Sequence, residues 1–500
     1  MPTLNRTTGD ATTIAVIALA VRLPAFFAPQ PLSFDDGQFA MSVIAMRHGG
    51  VPFREVFSSQ GPLFLPIAWL GDLFTFQRLD SPRTAAVLSG VALAVLAFLI
   101  AGRLSSRSGA RLAGFLVALR GSVLWTTGPL TSDGIAAAIT AAAGLAALAY
   151  IRAPSARRAI LIGVLAGAAL AVKSLLVLPG LLAAGLWVLG RRRWRDITLV
   201  PLVAGVVVVL LSLPWGLARV YDQYVRYHTD AIADRPFAAN ASKLTKTLFE
   251  RDAPLLAAAA VALLATLALL LRRRSGAPTN MVAPAVSPIP SWYPLAVWFF
   301  ASLAVILTES PMWRNHVAHV AVPLALLVGV ACARRRIAVA AAIAAVLLAP
   351  ISVVHLTELL RPKDYAGADA IRQQLLADLP RGALVISDTS GDVWRAGRRV
   401  PDEFVDVSIL RITSPTPSLR LTEQHIVTAA ARPDVCAVVR WSHLRFQNFP
   451  NLGPRLRAAG YRAAFADRGS PRVVWIKQDC RPGARADPKS AAAAPGRSPG

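Results

Sequence analysis

Residues 159–190 read AILIGVLAGAALAVKSLLVLPGLLAAGLWVLG, and Lys173 is the only charge among them. The run is longer than the roughly 17–25 residues that carry one α-helix across a bilayer. It lies between two basic clusters, one spanning Arg152 to Arg158 and the other Arg191 to Arg195. By the positive-inside rule both clusters face the cytoplasm, so the chain between them must cross an even number of times. The run is therefore read as two short spans turning near Lys173, Ser174 and Pro179.

The same reasoning extends in both directions. Long apolar runs recur at 12–29, 84–102, 112–128, 134–151, 197–217, 253–271, 292–308, 317–333 and 337–355, charged only at Arg22 and Arg120. Three further clusters, Arg103 to Arg111, Arg272 to Arg274 and Arg334 to Arg336, join the cytoplasmic set. If the apolar piece 62–76 crossed, every later cluster would turn outward. It is short and contains Pro66 and Asp72, so it is read as an interfacial helix on the outer face. The first run ends in Pro24, Phe26 and Phe27, not in a small-residue cleavage site, and counts as a span. The expectation is a polytopic α-helical protein of about 11 transmembrane helices in the plasma membrane, with the N-terminus cytoplasmic and the C-terminus outside.

Composition agrees. Of 500 residues, 55% are hydrophobic and 16% charged, and 53 Lys and Arg against 28 Asp and Glu give a net charge of +25. A pI near 11.3 would suit a nucleic-acid binder, but a mean hydropathy of +0.50 does not. The arginine clusters account for the basic excess as a topology signal, so no nucleic-acid partner is expected. Residues 1–358 form the membrane domain, including a first external loop, 30–82, with interfacial helices. Residues 359–480 alternate helical stretches (363–379, 422–432, 452–460) with β-type runs (384–388, 435–441, 472–477), the pattern of a small extracytoplasmic α/β domain. The tail 481–500, rich in Ala, Pro, Gly and Arg, is read as disordered, and the four prolines of 275–291 mark a flexible cytoplasmic loop. Three cysteines do not make a disulfide scaffold, and no Cys/His spacing suits zinc. Cys436 and Cys480 both fall outside at strand edges and can pair, whereas Cys332 lies in a span as a packing residue.

Acids are scarce in the membrane half, which makes their positions informative. Asp35 and Asp36 stand in SFDDGQFAMSVIAMRHGG, just past the first span. Such a pair can accept a proton from a hydroxyl or bind a divalent cation such as magnesium or manganese, and Asp36 can equally serve as a helix cap. Asp133, in GPLTSDGIAAA, opens the next outward hairpin and has the same two readings. Lys173 sits at an outward turn, and Arg314, His316 and His319 follow in TESPMWRNHVAHVAVP. An ammonium and a guanidinium at headgroup level suit a phosphate, although snorkelling and interfacial anchoring are equally open to them. Arg22 lies close enough to the outer end of its span to join, and Arg120 pairs inside the bundle.

In this order the features resemble the polyprenyl-phosphate-sugar-dependent GT-C glycosyltransferases, the superfamily of protein O-mannosyltransferases and lipid A aminoarabinose transferases. The segments that carry the resemblance are VRLPAFFAP (21–29), FDDGQFA (34–40), HGGVPF (48–53), GPLFLPIAWLGDLF (61–74), DSPRTAAVLSG (80–90), SDGIAAAITAAAGLAALAYIR (132–152) and GVLAGAALAVK (163–173). It implies a GT-C-like fold and a glycosyltransferase that moves a hexose or pentose from a polyprenyl-phosphate donor to an acceptor hydroxyl. The acceptor would be a glycan, lipid or protein, and the purpose cell-envelope synthesis. Asp35 would be the base, with Asp36 beside it, Asp133 would match the second acidic position, and Lys173 and Arg314 would hold the leaving phosphate, with inversion at the anomeric carbon. His316, Gln60 and Arg22 complete the expected phosphate site. Gln60 stands where the family commonly has a basic or His residue, and Asp-Asp replaces the commoner Asp-Glu. The external domain is similar to those of actinobacterial relatives through GRRVPDEFVDVSILR (397–411). The competing classes are a flippase or transporter of a lipid-linked sugar and a non-catalytic partner in envelope-polymer assembly. Transporters place ionisable groups near the midplane of internal repeats, and this chain has acids at the outer mouths and no evident repeat.

Overall fold

The structure is a computed structural model describing residues 2–191, 193–230, 237–274, 292–310, 312–361, 365–380, 382–441, 445–466 and 472–480. The loop 275–291 and the tail 481–500 lie outside the described residues. The chain divides into two compact units. One comprises 1–28, 52–54 and 58–363, the other 29–51, 55–57 and 364–500.

The first unit is a helical bundle. Six helices are long and apolar enough to cross a membrane: Thr7–Phe26, Ser81–Leu104, Ser132–Arg152, Trp194–Trp215, Phe237–Leu271 and Arg314–Ala331. A seventh arises if Arg335–Leu347 and Ala349–Leu360, bent by 50° at their junction, form one span. The expectation of about 11 spans is thus corrected to six or seven. The physical reason is that an apolar run need not be one helix. The 159–190 run folds as Ala156–Leu170 and Leu178–Leu189, of 15 and 12 residues. At ~1.5 Å per residue these reach about 22 and 18 Å, short of the roughly 30 Å hydrocarbon core. The 112–128 run breaks at Arg120, whose ψ of 137° leaves the helical region between Arg107–Leu119 and Gly121–Thr127. Tyr293–Thr308 has 16 residues, and the 62–76 piece is the eleven-residue helix Phe64–Phe74.

Small residues let these helices approach closely. A Cβ on Gly163 would stand 2.7 Å from Val203 Cβ, and one on Gly167 would stand 2.6 Å from the Ala204 carbonyl oxygen. The Ala156–Leu170 helix therefore packs backbone to backbone against Trp194–Ser212, as small-residue stripes do in membranes. Arg83, fully buried, donates through Nη1 to the carbonyls of Ala25 (2.9 Å), Phe26 (3.2 Å) and Ala28 (3.0 Å). It thereby satisfies acceptors that the end of the first span leaves open. The longest helix, Phe237–Arg274, is interrupted at Asp252 (φ −126°, ψ 20°), two residues before Pro254.

The second unit holds a four-stranded sheet of β1 (Leu384–Ser387), β2 (Val435–Arg440), β3 (Tyr461–Ala466) and β4 (Val473–Lys477), in the order β1-β2-β4-β3. β1 and β2 are parallel and the other pairings antiparallel. Three strands follow the sequence expectation. β3, YRAAFA, was not anticipated, because its alanines give no β-type alternation. Cys436 and Cys480 are bonded, with Cα atoms 5.1 Å apart, and Cys332 is a buried free thiol. The acidic helix Phe34–Arg47 belongs to this unit and packs on the short helix Ser390–Arg395. A Cβ on Gly37 would lie 2.4 Å from Gly391 Cα, so the two backbones touch.

Burial pushes the carboxyl of Asp392, in that short helix, up to about 7 from 3.8, with the Asp388 charge adding to the shift and the Thr389 hydrogen bond opposing it. The folded state therefore keeps a proton that the unfolded chain releases first. This group's contribution to stability falls as pH rises from about 4 to about 7 and is level above that. Asp392→Asn is expected to abolish that slope. It should raise the thermal midpoint at pH 8 and leave it unchanged at pH 4, as read by a pH series of thermal unfolding on the detergent-solubilised protein.

Candidate active site

In the first unit, three elements bring ionisable groups to one place. Asp133 is in the first turn of the Ser132–Arg152 helix and is 3% exposed. Lys173 lies in the turn that follows Ala156–Leu170. His316 and His319 open the span that starts at Arg314. Lys173 Nζ is 2.8 Å from Asp133 Oδ1 and 3.4 Å from His316 Nε2. His319 Nε2 is 3.2 Å from the same Asp133 oxygen, and His316 Nδ1 is 2.6 Å from Glu309 Oε2. An ammonium can only donate, so His316 Nε2 accepts, which leaves its Nδ1–H to donate to Glu309. His319 donates to Asp133. The result is a chain of hydrogen bonds from one carboxylate to another with Lys173 in the middle.

Gln60 adjoins this chain. The Gly61 amide donates to the Val172 carbonyl at 3.1 Å and the Leu63 amide to the Ala171 carbonyl at 2.9 Å, which holds the 60–63 loop against the turn carrying Lys173. The Ser132 hydroxyl donates to Gln60 Oε1 at 2.7 Å, next to Asp133 in the chain. Lys173 uses two of its three N–H donors on Asp133 and His316 among the described residues, so one remains for an anion.

The other predicted cations of this unit have partners of their own. Arg314 ion-pairs through Nη2 with Glu250 and donates from Nε to Thr247 Oγ1 at 3.1 Å, both on the Phe237–Arg274 helix. Arg22, fully buried, donates to Thr127 Oγ1 (2.8 Å), the Ala18 carbonyl (2.7 Å) and the Ala118 carbonyl (3.2 Å), and so fastens its own span to the neighbouring helices. Glu309 and Glu250 were not singled out from sequence. The signal for Glu309 was an acid seven residues before His316, in TESPMWRNH. Asp252 was likewise missed. It sits at the helix interruption and accepts from the Ser122 amide at 3.2 Å and from the Ser122 hydroxyl.

In the second unit Ser33 is the N-cap of the Phe34–Arg47 helix, and its hydroxyl accepts from the Asp36 amide at 3.1 Å. The Asp36 carboxylate accepts in return from the Leu32 amide at 2.9 Å, a close variant of the capping box. Asp36 thus has a backbone task, whereas Asp35, half-buried in the first turn, does not share that bond. Gln38 Nε2 donates to Asp406 Oδ2 at 2.6 Å, and Arg445 lies 3.6 Å over the Phe34 ring. Neither Gln38 nor Arg445 was anticipated. Asp406 was signalled only by its place in the Asp-x-Ser segment, where its Oδ1 accepts from the Ser408 amide at 2.9 Å. Asp36 is committed to an amide, and among the described residues no group of three or more His, Cys, Asp or Glu converges as a metal site.

No protein-family model matches the sequence, and no curated protein does. Among the solved structures that share the fold are two states of one protein. ArnT from Cupriavidus metallidurans bound to undecaprenyl phosphate matches with a TM-score of 0.60 at 15% identity, covering 92% of this chain and 97% of that one. The apo state of the same protein matches with a TM-score of 0.58 at 14% identity, covering 94% and 98%. The likeness at these identities is one of architecture.

Proposed function

We propose that the chain is a membrane glycosyltransferase that moves one sugar from a polyprenyl-phosphate carrier to an acceptor hydroxyl at the outer face of the plasma membrane. Its N-terminus is then cytoplasmic and its C-terminal domain external. The observation that carries this reading is the buried Lys173–Asp133–His316 cluster flanked by Gln60, on a fold shared with a protein solved bound to undecaprenyl phosphate. Asp35 takes the proton of the acceptor hydroxyl, whose oxygen attacks the anomeric carbon with inversion as the bond to the phosphate oxygen breaks. The acceptor hydroxyl is the weak partner and needs a base. The leaving phosphate needs charge stabilisation, and the free N–H of Lys173 supplies it, with Gln60 and His316 as neighbours. Arg314 and Arg22 shape the surrounding bundle.

Asp35→Asn tests the assignment. Purified protein in liposomes is offered radiolabelled polyprenyl-phosphate pentoses and hexoses together with an envelope-glycan acceptor fraction. The expected result is loss of transfer by about 10²- to 10⁴-fold with folding retained. Transfer at the wild-type rate removes Asp35 as base. Movement of labelled lipid across the bilayer without a new glycosidic bond would favour a flippase.

A further inference from the structure

Within the second unit, one cation is poised at the base of the Asp35 helix. Arg445 seats its guanidinium 3.6 Å over the ring of Phe34, the residue immediately before Asp35. Its Nη1 donates to the Asp388 carbonyl at 3.3 Å, and its Nε is buried with no partner among the described residues. The acidic neighbours that act on it are Asp388, Asp35 and Asp406, and they oppose the burial that pushes its pKa down. Asp406 in turn accepts from Gln38, one turn along the same helix.

We propose that Arg445, contributed by the C-terminal part of the chain, is a positioning residue for Asp35: it fixes the first turn of the helix through Phe34 and sets a half-buried positive charge at the turn that carries the Asp35 carboxylate. A helix turns about 100° per residue, so fixing the Phe34 ring fixes the direction in which Asp35 leaves the helix. A half-buried cation is screened less by salt than an exposed one and favours the ionised carboxylate, the form a base must have. The neighbouring Asp36 carboxylate, held by the Leu32 amide, acts in the opposite sense. Around the helix, Asp392 is countered by Arg372 and Arg472 and Asp406 by Arg411, with Asp388 and Arg395 alongside, whereas Arg445 is the cation seated on the ring next to Asp35. This inference rests on the reading of Asp35 as the base.

The test does not require the natural donor. Carbodiimide activates a carboxyl in its protonated form, so labelling with carbodiimide and glycine methyl ester across a pH series, read by fragment mass spectrometry at Asp35, gives a titration midpoint in the full-length protein. In Arg445→Gln the midpoint is expected to rise by about half to one pH unit, and Arg445→Lys should retain most of the wild-type value. Phe34→Leu, which keeps every charge but removes the seat of the guanidinium, is the second variant should Arg445→Gln not fold. It is expected to move the midpoint the same way by less. An unmoved midpoint in folded Arg445→Gln, or in Phe34→Leu if only that variant folds, overturns the proposal. So does an equal shift in Arg445→Gln and Arg445→Lys. Because labelling does not depend on transfer, undiminished transfer by Asp35→Asn would defeat the base assignment separately.

Discussion

Lys173→Met is expected to cost the protein about 3–5 kcal/mol of stability and to abolish sugar transfer. The carboxylate it leaves behind, Asp133, is 3% exposed and sits 2.8 Å from the lost ammonium, with only His319 among the described residues still hydrogen-bonded to its side chain. A buried charge without its counter-ion retains its full desolvation penalty. The reverse change should be milder, because the Lys173 side chain is 16% exposed and its flexible stem can carry the ammonium toward water. Asp133→Asn is therefore expected to cost markedly less stability than Lys173→Met. The double variant Asp133→Asn/Lys173→Met should recover most of the loss while staying inactive. Thermal unfolding in detergent measures stability, and the liposome assay measures transfer. Recovery of both in the double variant would mean that the pair only holds the bundle together.

Gly37→Ala is the second large effect. Its added methyl would meet the Gly391 backbone at 2.4 Å from Cα and 2.6 Å from N, and backbone cannot swing aside as a long side chain can. Overpacking of this kind costs roughly 1–3 kcal/mol, and here the strain falls on the helix carrying Asp35. Transfer should drop with stability, and protease cleavage in the 29–51 segment should accelerate. Gly185→Ala is the control, since nothing lies within 4 Å of a Cβ built there and alanine is the better helix former. It is expected to be neutral or slightly stabilising. If Gly37→Ala behaves like Gly185→Ala, the close contact carries no strain.

Much of this was legible in the sequence because charge is costly in an apolar setting. Asp133 and Lys173 stood out as isolated ions in uncharged runs, and they turned out to be paired. The membrane class was equally plain from run length. The number of crossings was not, because hydropathy reports how apolar a segment is and not where its helix stops. The turn around Lys173 was marked by its charge, but nothing in hydropathy showed that the helices on either side fall short of a bilayer, and the bend after Leu347 lies inside an unbroken apolar run. The partners of the acidic helix were hidden for another reason. Gln38 and Asp406 are 368 positions apart and Phe34 and Arg445 are farther still, and no local pattern links residues at such separations.

That separation also has a consequence in time. The helix carrying Asp35 leaves the ribosome early, but the strands and turns it packs against are encoded hundreds of residues later. At about 5–20 residues per second, roughly 20 to 70 seconds pass before Asp406 has been synthesised to receive Gln38. During that interval the glycine face of the helix, and the acid it presents, have no native partner. Chains that terminate before Asp406 would carry Asp35 on a helix without its Gln38 anchor, so the geometry around the candidate base comes into being only after 368 further positions have been passed.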